Sequence, residues 1–293
     1  MVRPRRGCRC GGRRRRRRGG RHGRGPAVTA GVAPVLARTR GEGRAALVGY
    51  LPAGFPTVDA SVDLIRAMVD GGVDLVEVGL PYSDPVMDGP TIQAAADAAL
   101  KGGTRIDDVF RVVEAAAALV PTLVMTYWNP VERYGVDRFT ARLREAGGAG
   151  LITPDLIPDE AAEWIAAADE HHLDKVFLVA PSSTQARLEM TAAHCRGFVY
   201  ATAVMGVTGA REQASSAAPE LVRRTRAVTA LPIGVGLGVS NGQQAAAVAH
   251  YADAVIVGSA LVRAAIEADD PAGAVAAVAD LTRDLARGVH GEL

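Results

Sequence analysis

The sequence predicts an α/β protein, a single (β/α)8 TIM barrel behind a disordered, arginine-rich N-terminal extension. Three observations lead there. From Ala45 onward, short β-branched runs alternate with amphipathic helical stretches, the signature of βα units around a parallel sheet. Eight of each fit into roughly 250 residues, the size of a closed barrel, and that count disfavours the alternative of a doubly wound open sheet. Residues 1–25 hold 12 of the 33 basic residues and no acid, with arginine at every position from 13 to 18, a composition that cannot bury apolar surface. The expected division is therefore a tail at 1–25 and one barrel domain at 26–293.

Taken in order, the strands are read at 46–50, 74–79, 122–126, 150–153, 175–179, 198–202, 232–235 and 254–257. Between them lie helical patterns such as 58–69, where Val58, Val62, Ile65 and Val69 recur at helical spacing before Gly71 and Gly72 act as a stop. A helix is also expected ahead of the first strand, at about 28–40. It is poorly specified, because Gly31 and Pro34 fall inside it.

Composition narrows the function classes. With 293 residues, 48% hydrophobic and 22% charged, the chain can bury an ordinary core. No window approaches the 18 or more apolar residues that would cross a bilayer, since even 254–265 is interrupted by Gly258, Ser259 and Arg263. The net charge of +1 hides an acidic body: without the tail, 21 basic residues stand against 32 acidic ones. Such a body has no electrostatic footprint for nucleic acid, so a phosphate-backbone partner would have to meet the tail alone. Read functionally, the tail is a nucleic-acid arm or an export signal; read blandly, it is an appendage or a mis-assigned start, and the stretch after it is poor in the large apolar residues of a signal core. Cys195 is the only thiol of the body, which excludes a disulfide framework and fits a reducing compartment.

In a barrel the chemistry is built on the loops after the strands. The second strand places Leu75, Glu77 and Gly79 on one side and Val76 and Val78 on the other. Valines belong against the outer helices, so Glu77 points into the barrel, either paired with a buried Arg or Lys or working as a general acid or base whose pKa desolvation raises. The loop that follows carries Asp84 and Asp88 between three prolines, and each is either a ligand for a substrate N–H or a turn residue. Three glycine clusters end strands six to eight: Gly206 to Gly209 around Thr208, Gly234 with Gly236 and Gly238, and Gly258 before Ser259. Each alone reads as a tight turn, but together they point to a phosphate cradle of backbone N–H groups. Tyr127, Trp128, Asn129, Asp155 and Tyr200 also lie at or near strand ends, as walls for a flat ligand or as barrel filling. No HExxH, clustered His/Cys set, P-loop or first-turn dinucleotide fingerprint is present, so metal, triphosphate and dinucleotide chemistry lack support.

These motifs resemble the alpha chain of tryptophan synthase. The matching stretches are 49–56, with Gly49, Tyr50, Pro52 and Gly54; 75–93, with Glu77, Gly79, Pro81, Tyr82, Ser83, Asp84, Asp88 and Gly89; and the three glycine clusters. The resemblance runs from about residue 27 to the C-terminus. It implies a barrel lyase that cleaves indole-3-glycerol phosphate into indole and glyceraldehyde 3-phosphate. It also implies that Glu77 is the general acid/base and that Asp88 holds the indole ring nitrogen. By the same resemblance, Gly209, Gly236, Gly238, Gly258 and Ser259 cradle the phosphate, and Tyr127 and Tyr200 line the indole site. Thr208 resembles the threonine of the family's mobile loop, and Asp155 resembles a residue linked to that loop's closure and to the partner chain. Leu237, and Val204 with Met205, depart from the pattern of many relatives.

The resemblance further implies a cytoplasmic α2β2 heterotetramer in which a pyridoxal-phosphate beta chain takes up the indole, the alpha chain needing no cofactor or metal of its own and touching no nucleic acid or membrane. A stand-alone lyase releasing free indole is the alternative, and a beta chain that fails to raise indole formation would favour it. Other phosphate-binding barrels commonly need a lysine at a strand end, yet the body has only Lys101 and Lys175, neither placed there. Deleting residues 1–25 separates the enzyme readings from a nucleic-acid binder: an enzyme keeps its activity, whereas a binder loses its salt-sensitive affinity.

Overall fold

The computed structural model describes residues 1–2, 31–202, 211–236 and 238–293. Among these, nine strands form one sheet: β1 (Ala46–Pro52), β2 (Leu75–Gly79), β3 (Thr122–Met125), β4 (Gly150–Ile152), β5 (Asp174–Val176), β6 (Leu178–Val179), β7 (Val199–Thr202), β8 (Ile233–Gly236) and β9 (Ala254–Val257). Their order is β5-β4-β3-β2-β1-β9-β8-β7-β6, and every neighbouring pair is parallel. The strand expected at 175–179 is thus two short strands at opposite ends of that order, separated only by Phe177. The lower half bonds β4 and the upper half bonds β7, so the ladder lapses where the partner changes side. Phe177 keeps the circuit intact: its carbonyl accepts from the Tyr200 N–H at 3.1 Å. Eight staves therefore close into the expected barrel.

The two-residue alternation of the strands sorts side chains between two cores. Ala46, Val48, Leu75, Leu123, Ile152, Val176, Phe198, Ala254 and Ile256 fill the barrel, while Leu47, Val76, Val78, Val124, Leu151, Val199, Val235 and Val255 pack outward against the helices. The outer ring is made by elements such as Val58–Gly71, whose N-cap Thr57 accepts from the Ala60 N–H at 3.1 Å. That helix matches the sequence reading within two residues.

The N-terminal mouth is plugged. The helix expected at about 28–40 spans Ala33–Gly41, because Pro34 is tolerated only in a first turn and sets the start. Val32 and Leu36 insert into the inner core, and the Val32 N–H donates to Asp174 Oδ2 at 2.8 Å. Around this floor, Asp74 accepts from Arg44, Arg38 and the Leu47 N–H, and Asp253 is paired with Arg40 and Arg226. Lys175 pairs with Asp169 and Lys101 with Asp97, both away from strand C-terminal ends, as the sequence reading expected. Cys195 is a free thiol, pushed up to about 12 by burial, so it is held as an inert thiol.

The longest helix among the described residues, Pro271–His290, crosses the helix Gly242–Ala249 with almost no clearance. A Cβ at Gly288 would sit 2.0 Å from the Gly242 carbonyl oxygen, a backbone atom that cannot swing away. Gly288→Ala should therefore destabilise the barrel by about 1–3 kcal/mol, the cost of overpacking, and lower the midpoint of urea unfolding with an unchanged slope. An unchanged midpoint would show that the two helices can move apart freely.

Candidate active site

Strand C-terminal ends converge at the open mouth, and there the inward position of β2 holds Glu77. The residue is 1% exposed, and neither carboxyl oxygen has a hydrogen-bond partner among the described residues. The alternative of a structural glutamate paired with Arg or Lys is therefore excluded among those residues. With no compensating charge, burial pushes the carboxyl up to about 8.

The β2 loop brings a second carboxyl to the first. The Asp88 N–H donates to the Pro85 carbonyl, and Gln93 Nε2 donates to the Asp88 carbonyl at 2.8 Å, so the turn is tied to the helix that follows it. Tyr127, at the end of β3, reaches across: its hydroxyl accepts from the Met87 N–H at 2.8 Å and is hydrogen-bonded to the Asp88 side chain. Burial pushes Asp88 up to about 6, and the Tyr127 hydroxyl pulls it back. Asp84 instead lies exposed and accepts from Ser83 Oγ at 2.8 Å, a local contact of the kind a turn residue makes. Tyr82 stacks obliquely on Tyr127, with ring centroids 5.4 Å apart, and accepts from Asn129 Nδ2. Asp155 accepts from the Trp128 N–H at 3.0 and 3.1 Å, tying the loop after β4 to the helix Trp128–Tyr134.

Two tyrosines complete the wall, and both depend on glycine. A Cβ at Gly236 would meet the Tyr200 hydroxyl at 2.4 Å, and one at Gly79 would meet the Tyr50 hydroxyl at 2.2 Å. Only a missing side chain lets either ring lie across its neighbouring strand. Burial raises both phenols well above their usual range, and each also feels Glu77 and Asp88. Tyr50 is the site residue that sequence reasoning missed. Its signal was available, because parallel pairing sets Tyr50 opposite Glu77 and the alternation of Ala46 and Val48 turns it inward.

Gly258 lies against the Tyr50 ring and caps the helix Ser259–Ile266, whose first N–H groups have no intrahelical acceptors. Gly238 has φ +67° and open space around it. A cavity of about 470 Å³ opens beside the cluster, lined in part by Met87, Leu178 and Thr202. Glu77, Asp88, Tyr127, Tyr200, Gly236, Gly258 and Ser259 are thus brought to one mouth, whereas Thr208, Gly209 and Leu237 lie outside the described residues. Among the described residues, no group of three or more His, Cys, Asp or Glu could hold a metal ion, and no helix is long and apolar enough to cross a membrane.

The burial of Glu77 has a measurable cost. Because its folded pKa is raised, the folded chain holds a proton that the unfolded chain releases from about pH 4.5 upward, so stability falls as pH rises toward about 8. Glu77→Gln should therefore gain stability over the parent across that interval, on the order of a few kcal/mol at its upper end, at about 1.4 kcal/mol per unit of pKa. Parallel unfolding curves at pH 5 and pH 8.5 check this, and an identical difference at both would mean that Glu77 is solvated.

Comparison with known proteins gives a consistent result. The family model described as tryptophan synthase alpha chain matches residues 36–290. The tryptophan synthase alpha chain of Salinispora arenicola is 63% identical over 254 residues, covering 86% of this chain and 95% of its own. That of Acidothermus cellulolyticus is 60% identical over 260 residues, covering 88% and 97%. A structure of Mycobacterium tuberculosis tryptophan synthase is similar at 56% identity with a TM-score of 0.82, over 88% of this chain and 98% of that one. The tryptophan synthase subunit alpha of Legionella pneumophila is similar at 31% identity with a TM-score of 0.80, over 89% and 98%.

Proposed function

This chain belongs to the tryptophan synthase alpha-chain family, and from that premise we propose that its barrel mouth performs the family's lyase reaction, cleaving indole-3-glycerol phosphate to indole and glyceraldehyde 3-phosphate through Glu77 and Asp88. One observation carries the assignment: a carboxyl buried in the barrel with no partner of its own, beside a second carboxyl that has one. The family membership does not favour a nucleic-acid-binding protein. On this reading residues 26–293 are the lyase domain, and residues 1–25 stand outside the chemistry.

The two environments assign the two roles. Near neutrality Glu77, held up to about 8, keeps its proton, while Asp88, at about 6, is mostly ionised. Protonated Glu77 delivers its proton to indole C3, which makes the ring cationic. Ionised Asp88 accepts a hydrogen bond from the ring N–H and stabilises that charge. The ring carbon then takes the pair of the breaking C–C bond, and the carboxylate left on Glu77 accepts the proton of the adjoining hydroxyl as it becomes the aldehyde. The cycle closes with Glu77 protonated again.

The phosphate falls to the orphan N–H groups at Ser259 and to the glycine ends at Gly236, Gly238 and Gly258, joined by Gly209, while Thr208 contributes to closure. Tyr127 and Tyr200 wall the indole, Tyr127 also fixing Asp88. The family has no cofactor of its own; pyridoxal phosphate belongs to the beta chain. A beta-chain partner follows from the family, and we take the assembly to be an α2β2 heterotetramer in the cytoplasm. Val86, Met87 and Ile157, which are 80%, 52% and 41% exposed, form apolar ground beside the mouth for that partner.

The test is indole release, assayed with and without a beta chain. The kcat/KM should follow a bell with limbs near pH 6 and pH 8, lost on the acid side as Asp88 protonates and on the basic side as Glu77 ionises. Glu77→Gln should lower kcat by several orders of magnitude, and Asp88→Asn should remove the acid limb. A parent-like Glu77→Gln would overturn the role of Glu77, and indole formation indifferent to the beta chain would favour the stand-alone lyase.

A further inference from the structure

The mouth contains a phenol donor without an acceptor next to a carboxyl group without a partner. Tyr50 is 8% exposed, and its ring lies between Gly79 and Gly258. Its hydroxyl, over Gly79, makes no hydrogen bond among the described residues, yet it sits within the fields of Asp88, Glu77 and Tyr127. Its register partner Glu77 has two buried oxygens without partners. Buried polar groups that stay unpaired cost free energy, so a site built this way is completed by what binds in it.

The missing group must accept from a phenol and, once Glu77 has given up its proton, donate to the carboxylate left behind. A phosphate dianion cannot donate, and an indole N–H cannot accept. A substrate hydroxyl does both. Resting on the lyase reading above, we propose that Tyr50 is a further catalytic residue, whose hydroxyl donates a hydrogen bond to the oxygen of the substrate hydroxyl on the carbon attached to the indole ring. That hydroxyl is the one whose proton Glu77 must accept, so a single group satisfies both orphans.

The role follows from the electron flow. As the C–C bond breaks, its pair stays on the ring carbon, which has received the proton of Glu77. The O–H pair becomes the second bond of the aldehyde, and the hydroxyl proton returns to Glu77. Negative charge rises on the oxygen while that proton leaves, and a phenol donor stabilises it. Tyr50 retains its own proton throughout, since its environment opposes ionisation. A phenylalanine would fill the same space between the two glycines and leave the oxygen without a donor.

The test compares Tyr50→Phe with the parent in cleavage of indole-3-glycerol phosphate, beta chain present, and in binding of indole-3-propanol phosphate, which keeps ring and phosphate but has no hydroxyl on its chain. The expected result is a fall in kcat/KM of roughly 10- to 100-fold, the worth of a hydrogen bond to a developing charge, with affinity for the deoxy analogue unchanged within about twofold. A parent-like kcat/KM in an active background overturns the assignment of Tyr50 alone. An equal loss of affinity for the deoxy analogue also overturns it, because the hydroxyl would then serve packing. An inactive parent overturns the lyase reading, and the role of Tyr50 with it.

Discussion

The chemistry proposed for this barrel rests on keeping one carboxyl group dry. Glu77 is enclosed on β2 with neither oxygen paired, and that isolation holds only because the rest of the cylinder excludes water from below. Leu75, two residues earlier on the same strand, and Leu123, the register partner of Glu77 on β3, are buried in the inner core, and Val32 and Leu36 seal the floor. With the lower end closed, the only proton traffic open to Glu77 is with whatever occupies the mouth. A leak at the floor would let water solvate the carboxylate and return its pKa toward the ordinary range, which would leave a weaker acid catalyst near neutrality.

The same residue type behaves oppositely at the two ends of the barrel. At the floor, burial would raise Asp74, but the Arg44 guanidinium, the Leu47 N–H and Arg38 outweigh it and hold the carboxyl below its usual range. Asp253 is lowered in the same way by the Ile233 N–H, Arg40 and Arg226. At the mouth no cation among the described residues pairs with Glu77 or Asp88, and burial dominates in both. Acids paired with cations brace the strand N-terminal ends, while at the C-terminal ends Glu77 is unpaired and Asp88 is held by Tyr127, the division between stability and chemistry that this architecture favours.

How much of this was legible in the sequence depended on periodicity. Strand alternation turned Glu77 inward, because Val76 and Val78 have only one sensible destination, and the βα count identified the barrel. Loop residues carry no such period. Asp84 and Asp88 read alike in the sequence, and only the reach of Tyr127 from the next strand distinguishes them. Tyr50 was passed over because its partner relation to Glu77 exists between strands, not along one. The break at Phe177 was invisible for the same reason, being a change of hydrogen-bonding partner inside an unbroken apolar run. The first helix was blurred by Pro34, whose effect depends on whether it falls in the first turn.

The pairing of tyrosines with glycines at the mouth, Tyr50 with Gly79 and Tyr200 with Gly236, makes the shape of the site a property of couples instead of single positions. In each couple the aromatic ring occupies the volume that its partner vacates. A larger residue at either glycine is therefore incompatible with the resident tyrosine, while a smaller residue at the tyrosine opens a void that the glycine cannot fill. Reshaping this mouth for a bulkier ring system accordingly proceeds by exchanging both members of a couple at once. Libraries that vary one position at a time would sample mainly clashes and holes, and would underestimate how many shapes the barrel can hold.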